Sequence, residues 1–102
     1  MDGATRTSRQ QIMDLITGMA QSSRDLAVAL RMPEREVEGH LVHIGRSLAR
    51  DRARRFILEP ASCEHCGFVF RERTRMTRPS RCPRCHSERI VSPRYRIELR
   101  ER

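Results

Sequence analysis

The stretch CEHCGFVFRERTRMTRPSRCPRC spans residues 63–85 and holds all four cysteines of the 102-residue chain. It reads Cys-x-x-Cys, fifteen residues, Cys-x-x-Cys, with Cys63 and Cys66 in the first clip and Cys82 and Cys85 in the second. That spacing lies within the range of a four-cysteine zinc site. Each clip is a tight turn that aims two sulfurs at one point about 2.3 Å away, and two such turns complete a tetrahedron. Gly67 directly after the first clip permits the backbone turn a knuckle needs, and Pro83 stiffens the second. The expectation is one structural Zn2+ per chain, bound by Cys63, Cys66, Cys82 and Cys85.

Other uses of paired thiols fit less well. A thioredoxin-type redox pair belongs beside a βαβ pattern, which the sequence lacks. Disulfide staples belong to oxidising compartments. A rubredoxin-like iron centre also uses two clips, and CPRC would suit it, but an electron carrier has no evident use for a three-helix neighbour and this much arginine. His65 and His86 read as exposed or outer groups around a complete thiol set. The second half has too few aromatic residues to bury a self-sufficient core, and structural zinc contributes on the order of 10 kcal/mol to such modules.

Working outward from the clips, the first half reads as three helices. Thr7 and Ser8 stand at the capping-box offset before Gln10 and Gln11, and Ile12, Leu15, Ile16 and Met19 form one apolar stripe. Ser22 with Asp25 starts a second helix, carrying Leu26, Ala27, Ala29 and Leu30, that must stop near Met32 before Pro33. Pro33 then opens a third helix running to about Asp51, whose Val37, Leu41, Ile44 and Leu48 repeat at four, three and four. Phe56–Leu58, Phe68–Phe70 and the alternating Tyr95, Ile97 and Leu99 read as short strands. No Gly/Ser-rich linker separates the halves, so close packing and a shared sheet are expected.

The charge bears on partners. The formal net charge is +8, and all 21 basic residues are arginine. Ten arginines meet eight acids in residues 1–62, whereas eleven meet five in residues 63–102. Such a balance speaks for a polyanionic partner. The N-terminal MDGATRTSRQQ lacks an apolar secretory core and the longest apolar run is Leu26–Leu30, so a soluble, cytoplasmic protein without a membrane partner is expected.

Three helices with a short second turn make a helix-turn-helix candidate, with the third helix in the major groove. If Val37, Leu41, Ile44 and Leu48 face the core, the candidate DNA contacts are Arg35, Glu38, Gly39, Val42, His43, Arg46 and Arg50, joined by Arg54 and Arg55 leading into a strand. A plain three-helix bundle with a solvated face is the competing reading. His40 and His43, three apart, read as a surface or DNA-facing pair ahead of a second metal site.

SSRDLAVALRMPEREVEGHLVHIGRSL resembles the helix-turn-helix core of winged-helix regulators of the ArsR-like type, and CEHCGFVF with SRCPRCHSERI resembles a zinc ribbon. Their order is similar to that of small predicted transcriptional regulators fusing a winged helix-turn-helix to a C-terminal zinc ribbon. The resemblance implies a small α+β fold: a three-helix winged helix-turn-helix in residues 5–60, then a zinc ribbon of short antiparallel strands in residues 61–102. It implies sequence-specific binding of double-stranded DNA, with Cys63, Cys66, Cys82 and Cys85 as zinc ligands. Metal-sensing ArsR-like members carry a cysteine pair on the DNA-reading helix, which is absent here, so zinc reads as structural. A homodimer or a protein of the transcription machinery are the further partners considered. No catalytic constellation is visible, so no enzyme is expected. The alternatives are a zinc-ribbon protein-docking module and an RNA- or ribosome-associated module, the latter disfavoured by scarce aromatics.

Overall fold

The computed structural model describes residues 6–71 and 75–100. Residues 5, 101 and 102, at the outer bounds of the two expected domains, lie outside these. Helix α1 (Ser8–Ile16) begins at a complete capping box: the Thr7 hydroxyl accepts the Gln10 N–H and the Gln10 side chain accepts that of Thr7. It ends before Met19, because Gly18 turns at φ 82° and the chain leaves to bridge a strand. Met19 is consequently 65% exposed and stands off the apolar stripe expected to include it.

Helix α2 (Ser23–Leu30) starts at a second capping box, Ser22 with Asp25, and stops where Arg31 adopts the left-handed conformation. Pro33 sits at the N-cap of α3 (Glu34–Leu48). Val37, Leu41, Ile44 and Leu48 are all buried, as their spacing predicts. The helix stops short of Asp51, whose Oδ1 instead accepts the N–H groups of Ala53 and Arg54 and steers the chain into a strand.

Strand β1 (Arg54–Glu59) continues into β2 (Ser62–Cys63); β3 (Ile90–Val91) continues into β4 (Arg94–Leu99). β1 pairs antiparallel with β4, Phe56 opposite Ile97 and Leu58 opposite Tyr95, while β2 pairs with β3. Residues 17 and 21 bridge the other edge of β4: the Gly18 N–H donates to Ile97, and Gln21 and Tyr95 exchange two backbone bonds. β4 is therefore the inner strand of the helical body's sheet. Tyr95 and Ile97, at 0% and 1% exposure, join Ile12, Ile16, Leu26 and the α3 stripe in one core.

The two expected halves, meeting at residues 60/61, share this sheet through the β1–β4 pairing. The strand assigned to the ribbon's C-terminal part belongs to the helical core, and residues 60–93 are an insertion at the tip of the β1–β4 hairpin. The shared sheet itself is as expected. Tyr95 stacks on Phe56 with centroids 5.9 Å apart. Helix α3 approaches that pair through Gly45, where a Cβ would lie 3.3 Å from the Phe56 ring. A second core at the tip holds Ala61, Cys63, Cys82 and Ile90, with Phe68 and Phe70 packed edge to face at 5.1 Å. Among the described residues no helix is long and apolar enough to cross a membrane.

Candidate metal centre and the adjoining helix face

Both clips are built alike. The Gly67 N–H returns to the Cys63 carbonyl at 2.9 Å, and the His86 N–H returns to that of Cys82 at 2.9 Å. The Cys63 N–H reaches the Phe68 carbonyl and the Cys82 N–H that of Ser87, both at 2.8 Å. The residue four places after the first cysteine turns left-handed in each, Gly67 at φ 82° and His86 at φ 67°. A bond from Glu64 N–H to the Arg89 carbonyl fixes the first clip to the segment entering β3.

The sulfurs converge. Cys63 Sγ lies 3.6 Å from Cys85 Sγ, Cys66 Sγ lies 3.6 Å from Cys82 Sγ, and all four fall within 4.8 Å of one another. A tetrahedron with arms of about 2.3 Å has edges near 3.8 Å, whereas a disulfide would need about 2.05 Å. The donor set fits one zinc ion and none of the thiols is disulfide-bonded. His65 and His86 are exposed, and the four thiols are the metal-competent cluster among the described residues.

The electrostatics favour a cation. The Cys66 N–H, with that of His65 and against burial, brings the Cys63 thiol down to about 6. Burial opposes ionisation of Cys82, yet the N–H groups of Cys85 and Arg84 lower it. Cys85 goes the other way: despite the Ser87 N–H, burial and the three neighbouring sulfurs push it up to about 12. Thiolate charge accumulating at one point is what a divalent ion relieves. The ion supplies a cross-link to a module whose own core is small.

On α3, Arg35, Gly39, His43 and Arg46 are exposed and Val42 is half-buried, so this face is laid out as its periodicity predicts; Arg50, just past the helix end, is exposed as well. Glu38 is different. Its carboxylate takes Nε of Arg75 at 2.8 Å and the Met76 N–H at 2.8 Å, and only 14% of its side chain is exposed. The Tyr95 hydroxyl donates to the Met76 carbonyl, also at 2.8 Å. The stretch between the clips is thus pinned to α3 and β4, and Glu38, grouped with the DNA contacts, holds the zinc module in place. Arg54 is paired with Asp51 through two bonds, and Arg55 with Glu98 at 3.5 Å. His40 departs from a surface pairing with His43: both ring nitrogens are buried without a hydrogen bond. No sequence signal marked the Glu38–Arg75–Met76 contact, which joins residues almost forty positions apart.

Comparison with known proteins places both parts. Residues 7–57 match the model of the PF0610-like N-terminal domain, and residues 60–100 match that of the PF0610 rubredoxin-like zinc beta-ribbon domain. The solution NMR structure of protein PF0610 from Pyrococcus furiosus is 30% identical, with a TM-score of 0.73, covering 99% of this chain and 96% of that one. No curated protein sequence matches. The order of the two matched parts, the four-thiol geometry and the end-to-end structural similarity agree: this chain belongs to the PF0610-like family, a small α+β protein with a rubredoxin-like zinc β-ribbon and one structural zinc site.

Proposed function

We propose that the protein is a DNA-binding transcriptional regulator that lays α3 in the major groove of duplex DNA, with the β1–β4 hairpin in the place of a wing. One observation carries the reading. Arg35, exposed in the first turn of α3, has no ion pair or hydrogen bond among the described residues, while Glu34 and Glu38 are engaged elsewhere and Glu36 lies toward His40 at 3.9 Å. Glu34 accepts the Ser23 hydroxyl at 2.6 Å, and Glu38 accepts Arg75 and Met76. An arginine kept out of local pairs at the head of an exposed helix is poised for a bidentate bond to guanine O6 and N7. Gly39, His43 and Arg46 continue the same face, with Arg50 beyond it. Arg54 and Arg55, already paired to acids, are weaker candidates for phosphate than Arg46 and Arg50, which have no ion pair among the described residues.

A protein-docking module is the second reading. Leu58 and Leu99 on the hairpin and Val91 in the zinc module, at 45%, 63% and 41% exposure, favour it. Fluorescence anisotropy of labelled duplex DNA at two salt concentrations separates the two. Phosphate contacts release counterions, so the log–log slope against salt should be near −0.9 per phosphate contacted. Absent or salt-insensitive binding would leave the docking reading standing.

A further inference from the structure

A cleft of about 350 Å³ opens between the helical body and the zinc module, lined by Arg24, Glu34, Thr77, Arg78 and Ser92. Arg24 stands in the first turn of α2 and Glu34 opens α3, while the other three come from the segments on either side of the second clip and β3. The two arginines face the cleft from opposite bodies. Arg24 makes no hydrogen bond or ion pair among the described residues. Arg78 gives one Nη1 bond to the Glu88 carbonyl at 3.2 Å, which anchors its guanidinium and leaves other N–H groups of the fork. The ribbon wall is held in position, because Met76, next to Thr77, is bonded to both Glu38 and Tyr95.

Two guanidiniums, two hydroxyl-bearing side chains and one carboxylate make a cleft of net positive charge that suits a tetrahedral oxyanion. Glu34 opposes this, though its carboxylate is partly satisfied by the Ser23 hydroxyl at 2.6 Å. The cleft adjoins the first turns of α2 and α3. In a helix-turn-helix complex the first helix of the motif crosses the phosphate backbone there, beside the end of the reading helix that meets the bases.

We propose that this cleft seats one phosphate, held between Arg24 and Arg78, and that its source is the backbone of the duplex read by α3. The source rests on the DNA-binding reading above; the seat rests on the cleft. The zinc module then forms half of a nucleic-acid contact as well as a structural clip, and duplex affinity depends on zinc.

The test uses the full-length zinc-loaded protein with R24A, R78A, the double variant and E34Q, each checked for zinc content and helicity. Anisotropy on labelled duplex is measured across a sodium chloride series. Either single variant should weaken every duplex alike and flatten the salt slope by about 0.9. The double variant should flatten it no further, since both arginines serve one phosphate, and E34Q should tighten binding to all sequences. Additive slope losses in the double variant would overturn the shared seat. Unchanged binding in all four, with Arg46→Ala still harmful, would overturn the cleft's role and leave the DNA reading intact. If no duplex binds even at low salt, that reading fails, and inorganic phosphate at constant ionic strength decides the seat. Shifts of the Arg24 and Arg78 Nε–H signals would keep it as a free-phosphate site, and unmoved signals would overturn it.

Discussion

The Glu38 carboxylate accepts the backbone N–H of Met76 at 2.8 Å, tying the third helix to the stretch between the two cysteine clips. Glu38→Ala should lower stability by about 1–2 kcal/mol, since it leaves a half-buried N–H without its acceptor. Arg75→Ala should cost much less, because 63% of that side chain is exposed and the pair it makes is screened. Denaturant titration of both variants, with Glu38→Gln as the acceptor-retaining control, checks the order.

Metal analysis of the purified protein should find one zinc per chain, and Cys63→Ser or Cys82→Ser should lose it. Removal should disorder the core of Ala61, Cys63, Cys82 and Ile90 while the helices and the β1–β4 ladder persist, since Tyr95 and Ile97 are held by the other core. Hydrogen exchange after chelation would show it: protection retained at Phe56 and Ile97, lost at Cys63. Acidification should release zinc, because ligation requires thiolates.

The two knuckles differ in how they meet one backbone demand. Gly67→Ala should cost ~1–2 kcal/mol through its left-handed φ alone, as open space surrounds the site. His86→Gly relieves the same strain in the second knuckle and should stabilise by up to about 1 kcal/mol, the flexibility of the unfolded chain offsetting part of the gain. Thermal unfolding of the zinc-loaded variants should show shifts of opposite sign.

Asp51 is held below its ordinary 3.8, first by the Ala53 N–H and then by the Arg54 side chain. A lowered folded value gives stability that is complete above 3.8 and lost as pH falls through the lowered value. The stability gap between the protein and Asp51→Asn should therefore be constant from neutral pH down to about 5 and shrink in stronger acid. Referencing to the variant cancels protonation of the thiolates.

Arg35→Ala should cost ~1–3 kcal/mol on the preferred duplex and little on random DNA. Sites selected from a random pool, followed by anisotropy on both duplexes, provide the measurement. Equal losses on the two would make α3 a scaffold and move sequence reading elsewhere.

What the sequence disclosed was local. The clips, both capping boxes and the Val37–Leu48 stripe are patterns within a few turns of chain, where spacing dictates geometry. The destination of Tyr95–Ile97–Leu99 was not legible, because alternation says which face of a strand is buried but not in which core. Met19 fell outside its stripe for a related reason: Gly18 diverts the chain to a strand far away in sequence. Arg54 and Arg55 read as free cations until Asp51 and Glu98 were seen beside them. Glu38 was read as a DNA contact on the outer face, whereas its carboxylate is taken by Arg75 and Met76, partners that arrive from beyond the first clip.

Glu59 and Arg94 face each other across the last rung of the β1–β4 ladder, their side chains paired at 3.4 Å. Everything between them hangs from that rung. During folding, the ladder must close over a long excursion, and metal capture shortens the effective loop before the strands meet. The same arrangement makes the tip exchangeable: joining Glu59 to Arg94 through an Asn-Gly turn would yield a short hairpin with its register intact. The three helices would keep their sheet, and the rung would become an acceptor for foreign modules.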